Sequence, residues 1–565
     1  MPDAVTVALD PWYYLDNFQF VLNWTHERYD DILNAEERNF IASFYMLDKP
    51  SRALLARLIM RKGELFRTSK LNYPEIGNID LAARPLIALG WIDTESPLTL
   101  DELFHLFTKT ELAAIFRFHP AYEGVSTRAK REQLDCLRPQ FPQALQWPQW
   151  HDHGPADVVT PSRSEIVIRV TTAPICERIR LMFFGNLRQD WTEFVLADLG
   201  RLSYEKVDFP ASARAFQTAH DIDAYLQLSE CKAQFASATP ECMPQIQAQI
   251  PKQYANDWLE TRRSRLLFQI GQYHERQANW SAALACYEDS LAPAARTRRI
   301  RVLERDKQYA AAMQLAAIAI QAPENEAEYQ HATRAMGRLS RRVHGRSASQ
   351  AGSPSAIARD RLVLSRSFDF TRVEHLVLDH LRRPDAPVFY TENTLFNSLF
   401  GLLFWESIFS AVPGAFFHPY QQGPADLHHP HFRRRREPAF SALLSQLDTG
   451  QYKQTIRRNA QTKAGIQSPF VSWQAIGGGL LELALACIPA AHLKAVFERL
   501  ASDVRSNRSG MPDLIQVWPD KNRYQMIEVK GPGDRLQDNQ ARWLAFCHEH
   551  HLPVRVCHVE FDDTP

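Results

Sequence analysis

Residues 510–530 read GMPDLIQVWPDKNRYQMIEVK, and this stretch decides the fold of the C-terminal region. Two segments in it, Leu514 to Trp518 and Tyr524 to Lys530, alternate in polarity and are rich in β-branched and aromatic residues, which predicts two strands. The residues between them, Pro519 to Asn522, are typical of a turn. The stretch therefore predicts a β-hairpin.

The position of the turn predicts which side chains of the hairpin face each other. If the turn is the loop, Trp518 pairs with Arg523, and counting outward places Asp513 directly opposite Glu528. Cross-strand partners have Cβ atoms roughly 5 Å apart. Lys530 follows Glu528 by two residues and points to the same face of the strand. The hairpin thus brings two carboxylates and a lysine together.

Two carboxylates and a lysine on one hairpin face are the constellation of the PD-(D/E)xK nucleases. Asp513 and Glu528 repel each other unless a hard, oxygen-preferring cation such as Mg²⁺ or Mn²⁺ lies between them. Such a cation activates water and clamps a phosphate, and Lys530 would orient the water or hold a phosphate oxygen. The alternative is a surface hairpin with solvated charges. The matched spacing and the preceding Pro512 favour the catalytic interpretation.

The residues after the hairpin carry a family resemblance. EVKGPGDRL at 528–536, together with Gln540, resembles the VRR-NUC type of nuclease domain, and a helix over 537–546 and a strand over 553–559 complete a small α/β core. Upstream, ENTLFNSLFGLLFW at 392–405 is similar to the first helix of that domain in the Fanconi-associated nuclease family. A helix from Thr391 to Phe409 is apolar on nearly every face, which predicts burial.

The resemblance implies further ligands and an activity. It makes Glu392 the third carboxylate of the metal site. Taken alone, a glutamate in the first turn of a helix is explained by the helix dipole. The carbonyl of Val529 is a further candidate ligand, and Gln540 is a candidate DNA contact. The activity implied is a structure-selective 5′-flap endonuclease with 5′-to-3′ exonuclease activity, acting on branched or flapped DNA in interstrand crosslink repair.

Composition sets bounds on the rest of the chain. The 565 residues are 45% hydrophobic and 23% charged, as in ordinary proteins of several domains. A formal net charge of zero predicts local basic patches for a DNA-binding protein. Eight scattered cysteines without a C-x-x-C pair argue for reduced thiols and against structural zinc. With no leader-like start and no membrane-length apolar run, we expect a bacterial cytoplasmic protein, or a nuclear one in a eukaryote, with no membrane partner.

The N-terminal 150 residues predict DNA-binding modules. Residues 1–95 follow the order helix, helix, strand, helix, strand, as in a winged helix, and residues 96–150 resemble a degenerate SAP-type helical pair. The alternative is that their basic residues are simply solvated. The candidate DNA contacts are Arg52, Arg57, Arg61, Lys62 and Lys70 in the first region, where Arg67 adds charge, and Arg128, Lys130 and Arg131 in the second.

The middle of the chain predicts a helical scaffold. Residues 151–245 form a connecting region. Residues 246–365 contain TPR-like helical repeats and a linker, because the spacing of Gly271 and Tyr287 follows a tetratricopeptide pattern in which small residues let helices approach. Residues 340–355, rich in Arg, Ser and Gly, predict the linker. A scaffold role is favoured over a partner-binding surface.

Residues 366–565 complete the prediction of a multidomain, mostly α protein with a C-terminal α/β PD-(D/E)xK nuclease core. The segment HHPHFRRRR at 428–436 invites a zinc interpretation, but a loop whose Arg433 and Arg434 contact phosphate is favoured. Arg508 is a further candidate DNA contact. The alternatives to the nuclease are a Holliday-junction resolvase and a catalytically inactive TPR-type scaffold. Protein partners are not predicted.

Overall fold

The computed structural model describes residues 10–116, 119–151, 165–189, 191, 202–344, 358–365 and 372–562. The chain divides into two compact units, Met1–Arg201 and Leu202–Pro565. Helices dominate both, and the C-terminal part of the second unit holds a five-stranded mixed sheet, so the predicted fold class is confirmed. The finer division into five regions stays a prediction.

The first unit combines helices with a small antiparallel sheet. Its strands are β1 (Leu65–Arg67), β2 (Ile92–Asp93) and β3 (Val167–Val170), in the spatial order β1-β3-β2. From Ala35 onward the elements follow the predicted order helix, helix, strand, helix, strand, but a further helix, Tyr13–Tyr29, precedes them. β1 ends at Arg67, and a 3-10 turn follows it. The helices are Tyr13–Tyr29, Ala35–Met46, Lys49–Met60, Ile79–Ala88, Leu100–Leu106, Lys109–Phe116, Pro120–Glu123, Lys130–Leu137, Trp147–His151 and Ala173–Phe184.

The second unit begins with helices that pack against their neighbours in sequence. A Cβ at Gly271 would lie 2.7 Å from the ring of Tyr287, so this glycine permits the close approach that the repeat pattern predicts. The last helix continues to His344, within the predicted linker, and residues 345–357 lie outside the described part. The helices are Ala219–Ala236, Met243–Gln249, Asp257–Arg276, Trp280–Glu288, Ala295–Arg305, Tyr309–Gln321 and Glu326–His344.

The five-stranded sheet of the second unit has the order β4-β8-β7-β6-β5. Its strands are β4 (Ala358–Ser365), β5 (Val388–Tyr390), β6 (Leu514–Trp518), β7 (Arg523–Lys530) and β8 (Val554–Asp562). β8 is parallel to β4 and β7, and the other pairs are antiparallel. The surrounding helices are Val373–Leu381, Leu395–Leu403, Trp405–Ile408, Glu437–Thr449, Tyr452–Thr462, Leu480–Cys487, Ala490–Ser502, Val504–Asn507 and Asp538–Glu549.

Both faces of the sheet are buried because alternate residues enter different cores. Ile515 and Val517 pack into a large cluster that includes the helix Leu395–Leu403. Leu514 and Ile527 pack on the opposite face against the helix Val373–Leu381. Glu528 shares the parity of the first face, so the acidic site lies at the margin of the large core.

The segment after β5 corrects the predicted helix Thr391–Phe409. The N–H of Thr391 donates to the carbonyl of Asp513 over 2.8 Å and extends the strand pairing. Asn393 then adopts φ +53°, a left-handed conformation that asparagine tolerates, and the helix starts only at Leu395. The apolar pattern predicted burial correctly, but it contains no information about this break.

None of the described helices is by itself long and apolar enough to cross a membrane. One pair, Leu480–Cys487 and Ala490–Ser502, meets that length and composition only when its two members are taken together. The two helices are bent by 108° relative to each other.

Candidate active site

The hairpin has the predicted register. Trp518 pairs with Arg523 and Leu514 pairs with Ile527, so the next residues outward, Asp513 and Glu528, face each other. The turn is a 3-10 segment, Pro519–Lys521, followed by Asn522 with φ +44°, in the left-handed region where asparagine is favoured. Local turn chemistry thus sets the distance between the two acids.

The two acids are buried and only partly satisfied by hydrogen bonds. Asp513 is 6% exposed, and its Oδ2 accepts a hydrogen bond of 2.8 Å from the N–H of Val529. Glu528 is fully buried, and the ammonium of Lys530 lies 2.7 Å from its Oε1. Among the described residues, Oε2 of Glu528 has no hydrogen-bond partner. One buried carboxylate oxygen is therefore available to a ligand.

The electrostatics of the pair disfavour two negative charges. Burial raises the pKa of Asp513 to about 6; the charge of Glu392 adds to the rise, whereas the Val529 N–H and Lys530 oppose it. Burial likewise raises the pKa of Glu528 to about 7, with the charge of Asp513 adding and Lys530 opposing. A nearby cation would reverse both effects, because it stabilises the ionised carboxylates.

Lys530 is held by two partners. Besides the ion pair with Glu528, its ammonium donates to Oε1 of Gln540 over 3.1 Å. Gln540 lies in the first turn of the helix Asp538–Glu549 and also accepts a hydrogen bond from the N–H of Gln537. Gln540 therefore orients the lysine in this structure, and its predicted contact with DNA stays a prediction.

Glu392 lies beyond the end of β5, not in the first turn of a helix as the sequence predicted. The hydroxyl of Tyr390 donates to its Oε2, and Nδ2 of Asn393 donates to its Oε1 over 3.2 Å. Burial and the carboxylate of Glu392 raise the pKa of Tyr390, so the phenol keeps its proton. A turn between β5 and the next helix, closed by the hydrogen bond from the N–H of Thr394 to the carbonyl of Thr391, thus places this carboxylate, rather than a helix dipole.

The described residues contain no group of three or more His, Cys, Asp or Glu side chains arranged to hold a metal ion as they stand. The donor set nevertheless fits a hard divalent cation: two buried carboxylates face each other, and one oxygen of Glu528 lacks a partner. Glu392 lies near enough for its charge to act on both acids.

The predicted DNA contacts around the site are partly engaged with protein. Arg508 donates to the carbonyl of Pro469 over 2.8 Å, and burial lowers its pKa. Arg433 pairs with Glu437, whereas Arg434 is exposed. The other two arginines of the run, Arg435 and Arg436, form ion pairs with the buried Asp426. This departs from the prediction that the arginines of the loop contact phosphate.

The basic residues of the first unit also differ in their freedom to meet DNA. Arg57 pairs with Glu75 and stacks on Tyr14, and Arg67 is buried in an ion pair with Glu165. Among the other candidates, Arg52 donates to Gln19, Arg61 to Tyr73 and Lys130 to the carbonyl of Phe107. Five candidates are exposed: Arg61, Lys62, Lys70, Arg128 and Arg131.

Sequence reasoning missed the residues that fix Glu392. Tyr390 is only two positions before Glu392 and donates to it, so the short spacing of a tyrosine and a glutamate was an available signal. Asn393 accepts a hydrogen bond from the N–H of Met511 over 3.1 Å and receives one from Asn397 on its carbonyl. The contact with Met511 spans more than a hundred residues and has no local signature.

A mixed sheet whose hairpin presents two facing acids and a lysine defines a nuclease of the PD-(D/E)xK class. Three family models match the chain: "FAN1, HTH domain" over residues 12–93, "Fanconi anemia-associated nuclease SAP domain" over 97–150 and "VRR-NUC domain" over 447–561. The Fanconi-associated nuclease 1 homolog of Pseudomonas aeruginosa is 48% identical over 98% of this chain and 96% of its own length. The chain belongs to the Fanconi-associated nuclease family, and it is a nuclease.

Other relatives and solved structures agree with this assignment. Human Fanconi-associated nuclease 1 is 25% identical over 97% of this chain and 62% of its own length. A crystal structure described as paFAN1 bound to 2-nucleotide 5′-flap DNA with a gap has a TM-score of 0.87 and 48% identity, covering 99% of this chain and all of the other. A second, with a 1-nucleotide flap, has a TM-score of 0.85. Neither a Holliday-junction resolvase nor an inactive scaffold is favoured, and the family implies dependence on a divalent metal.

Proposed function

We propose that this protein is a structure-selective 5′-flap endonuclease with 5′-to-3′ exonuclease activity that acts in DNA interstrand crosslink repair. The observation that carries the proposal is the similarity over nearly the whole chain to a nuclease whose structure contains 5′-flap DNA. A branch point is already unstacked, so a protein of several domains can bend DNA there at lower cost than in a continuous duplex.

The proposed catalytic residues are Asp513, Glu528 and Lys530. Asp513 and Glu528 bind one or two divalent cations, Glu392 joins them, and the carbonyl of Val529 is a further ligand. When bound, the cation supplies Lewis-acid chemistry, activating water and neutralising charge on the phosphate. Lys530, held by Glu528 and Gln540, would orient the attacking water or hold a phosphate oxygen.

We assign the cation as Mg²⁺ or Mn²⁺. The support is chemical: every side-chain donor at the site is a carboxylate oxygen, and these ions prefer oxygen ligands. Softer metals favour thiolate or imidazole, and neither group belongs to the proposed ligand set.

The DNA surface is proposed to include the exposed basic residues of the N-terminal region and those near the site. Counterion release by such residues supplies affinity that does not depend on sequence. The Pseudomonas relative supports a bacterial cytoplasmic location. Among the candidates, the residues with exposed charge are Arg61, Lys62, Lys70, Arg128, Arg131 and Arg434.

The test compares cleavage of matched 5′-flap, 3′-flap and four-way DNA substrates by the full-length protein. We expect preferential cutting of the 5′ flap, loss of cutting with a chelator and recovery with Mg²⁺ or Mn²⁺. Asp513→Ala should abolish cutting and leave flap binding intact. Asp520→Ala, an exposed aspartate on the turn of the same hairpin, is the matched control and should cut normally.

Symmetric cleavage of the four-way junction would instead support a resolvase. Unimpaired cutting by Asp513→Ala would disprove the assignment of the site. Cutting that persists in the chelator would disprove the role of the metal.

A further inference from the structure

Glu392 accepts two hydrogen bonds, one on each carboxylate oxygen, and the two bonds differ in donor and in length. Oε2 accepts from the hydroxyl of Tyr390, whereas Oε1 has only the longer contact of 3.2 Å from Asn393. The oxygen with the weaker contact is the one that can be released at lower cost. Glu392 is therefore prepared to turn one oxygen while the other stays anchored.

Tyr390 is itself fixed in place. It is the last residue of β5 and pairs with Leu514, which directly follows Asp513. Its ring lies 5.5 Å from the ring of His375, and the side chain is partly buried. Because strand pairing holds Tyr390 and Asp513 in one frame, the phenol fixes the position of Glu392 relative to the acids of the hairpin.

We propose that Tyr390 is a positioning residue for the metal site: its hydroxyl holds Oε2 of Glu392 so that Oε1 turns toward the cation beside Asp513 and Glu528. This inference rests on the proposed metal site. Groups that hydrogen-bond to a metal ligand typically change metal affinity by roughly 10- to 100-fold. Tyr390 donates to a ligand and acts only through Glu392, so it need not contact DNA or the reacting atoms.

The experiment measures Mn²⁺ binding to the DNA-free, full-length protein by isothermal titration calorimetry. Tyr390→Phe should weaken binding by roughly 10- to 100-fold. In flap cleavage at fixed, subsaturating Mn²⁺ it should lower kcat and leave the KM for DNA unchanged. A purely structural role would lower the melting temperature of the metal-free protein without changing Mn²⁺ affinity.

The matched control is Tyr287→Phe. The hydroxyl of Tyr287 also donates to a buried glutamate, Glu275, over 3.0 Å, but it lies among the repeat helices. Its removal takes away the same chemical group and should leave Mn²⁺ binding unchanged. Equal losses of Mn²⁺ affinity in the two variants would contradict the inference, since the effect would then be nonspecific.

A double-mutant cycle tests whether Tyr390 acts through Glu392. Glu392→Gln should weaken Mn²⁺ binding, and adding Tyr390→Phe should cause no further loss. Additive losses, or wild-type affinity in Tyr390→Phe, would overturn the inference. Asp513→Ala distinguishes a wrong metal site from a wrong role for Tyr390. If Asp513→Ala binds Mn²⁺ normally, the proposed metal site is wrong. If Asp513→Ala does not bind Mn²⁺ and Tyr390→Phe binds it normally, only the role of Tyr390 is wrong.

Discussion

Asp513 and Glu528 link the stability of the metal-free protein to pH. Both carboxyls have pKa values raised by burial, to about 6 and about 7, above the value of about 4 in unfolded chains. The folded state therefore binds more protons than the unfolded state between about pH 4 and 7. Their contribution to stability is complete below about pH 4 and is lost as the pH rises through their pKa values in the folded state.

A neutral isostere at Asp513 should reveal this linkage. Without metal at pH 8, Asp513→Asn should unfold with a free energy higher than wild type by on the order of 1 kcal/mol. It keeps an acceptor for the Val529 N–H and removes the repulsion with Glu528. The advantage should shrink as the pH falls through about 6. Denaturant unfolding at pH 5 and pH 8 measures it, and a pH-independent difference would contradict the explanation.

Lys530 should matter for turnover more than for DNA affinity. Lys530→Met keeps the length of the side chain but removes the ammonium, and we expect kcat to fall roughly 100- to 1,000-fold. Flap binding should stay within a few-fold, as measured by fluorescence anisotropy. Lys521→Met, an exposed lysine on the turn of the same hairpin, is the control and should retain full kcat. Equal activity of the two variants would remove Lys530 from the catalytic set.

Single residues also show what could and could not be predicted from sequence. The pairing of Asp513 with Glu528 follows from counting across a short turn, because strand periodicity is local. The engagement of Arg57, Arg67 and Arg436 could not be predicted in this way. Their acidic partners lie up to about a hundred residues away, as for Arg67 and Glu165, and nothing near the arginine marks them.

At the scale of elements, Gly510 determines how closely the segment before Asp513 approaches the helix Asp538–Glu549. It has φ +91°, and a Cβ there would lie 2.9 Å from the carbonyl carbon of Asn539. That helix carries Gln540, the partner of Lys530. A small backbone shift at Gly510 would therefore reach both the acid and the lysine.

Gly510→Ala should disturb catalysis beyond its effect on stability. Alanine at a positive φ costs on the order of 1 kcal/mol, and this cost applies equally to Gly450→Ala, which has φ +77° and open space around it. Only Gly510→Ala also displaces the helix, and we expect kcat to fall roughly 10- to 100-fold. Thermal melting and flap cleavage of both variants separate the two effects. Normal cleavage by Gly510→Ala would show that the close approach is unimportant.

The helices and strands near the site could be predicted where the sequence itself carries a local signal. The hairpin, the helix after it and β8 all have local periodicity and turn signals. The break at Asn393 depends on hydrogen bonds to Met511 and Asn397, so a continuous apolar run was interpreted as one helix. Elements defined by tertiary contacts are not encoded in their own periodicity.

At the scale of the whole molecule, zero net charge means that DNA affinity must come from local patches. Many arginines already pair with acids, so exposed basic side chains outside such pairs are the main candidates. The regions that match the HTH and SAP family models supply Lys62, Lys70 and Arg131 among them. The net charge of the whole chain therefore does not show which basic residues are paired with acids and which remain candidates for binding DNA.

Neutralising these three side chains should change the salt dependence of binding. In the triple variant Lys62→Ala, Lys70→Ala and Arg131→Ala, the slope of log K against log salt should fall by about 0.9 for each phosphate that the protein no longer neutralises. Titrations of flap DNA at several salt concentrations measure the slope. Arg138→Ala, whose charge is paired with Asp101, is the control and should leave the slope unchanged. An unchanged slope in the triple variant would place the DNA elsewhere.

The parallel pairing of β4 with β8 has a consequence for biosynthesis. Ala358 lies beside Arg555, so nearly two hundred residues must be synthesised between the two strands before they can meet. β7, which carries Glu528 and Lys530, likewise lacks its second neighbour until β8 emerges from the ribosome. A nascent chain that stalls before Val554 leaves the edge of β7 without its second neighbour, so the sheet around the acids is complete only once the last strand has been made.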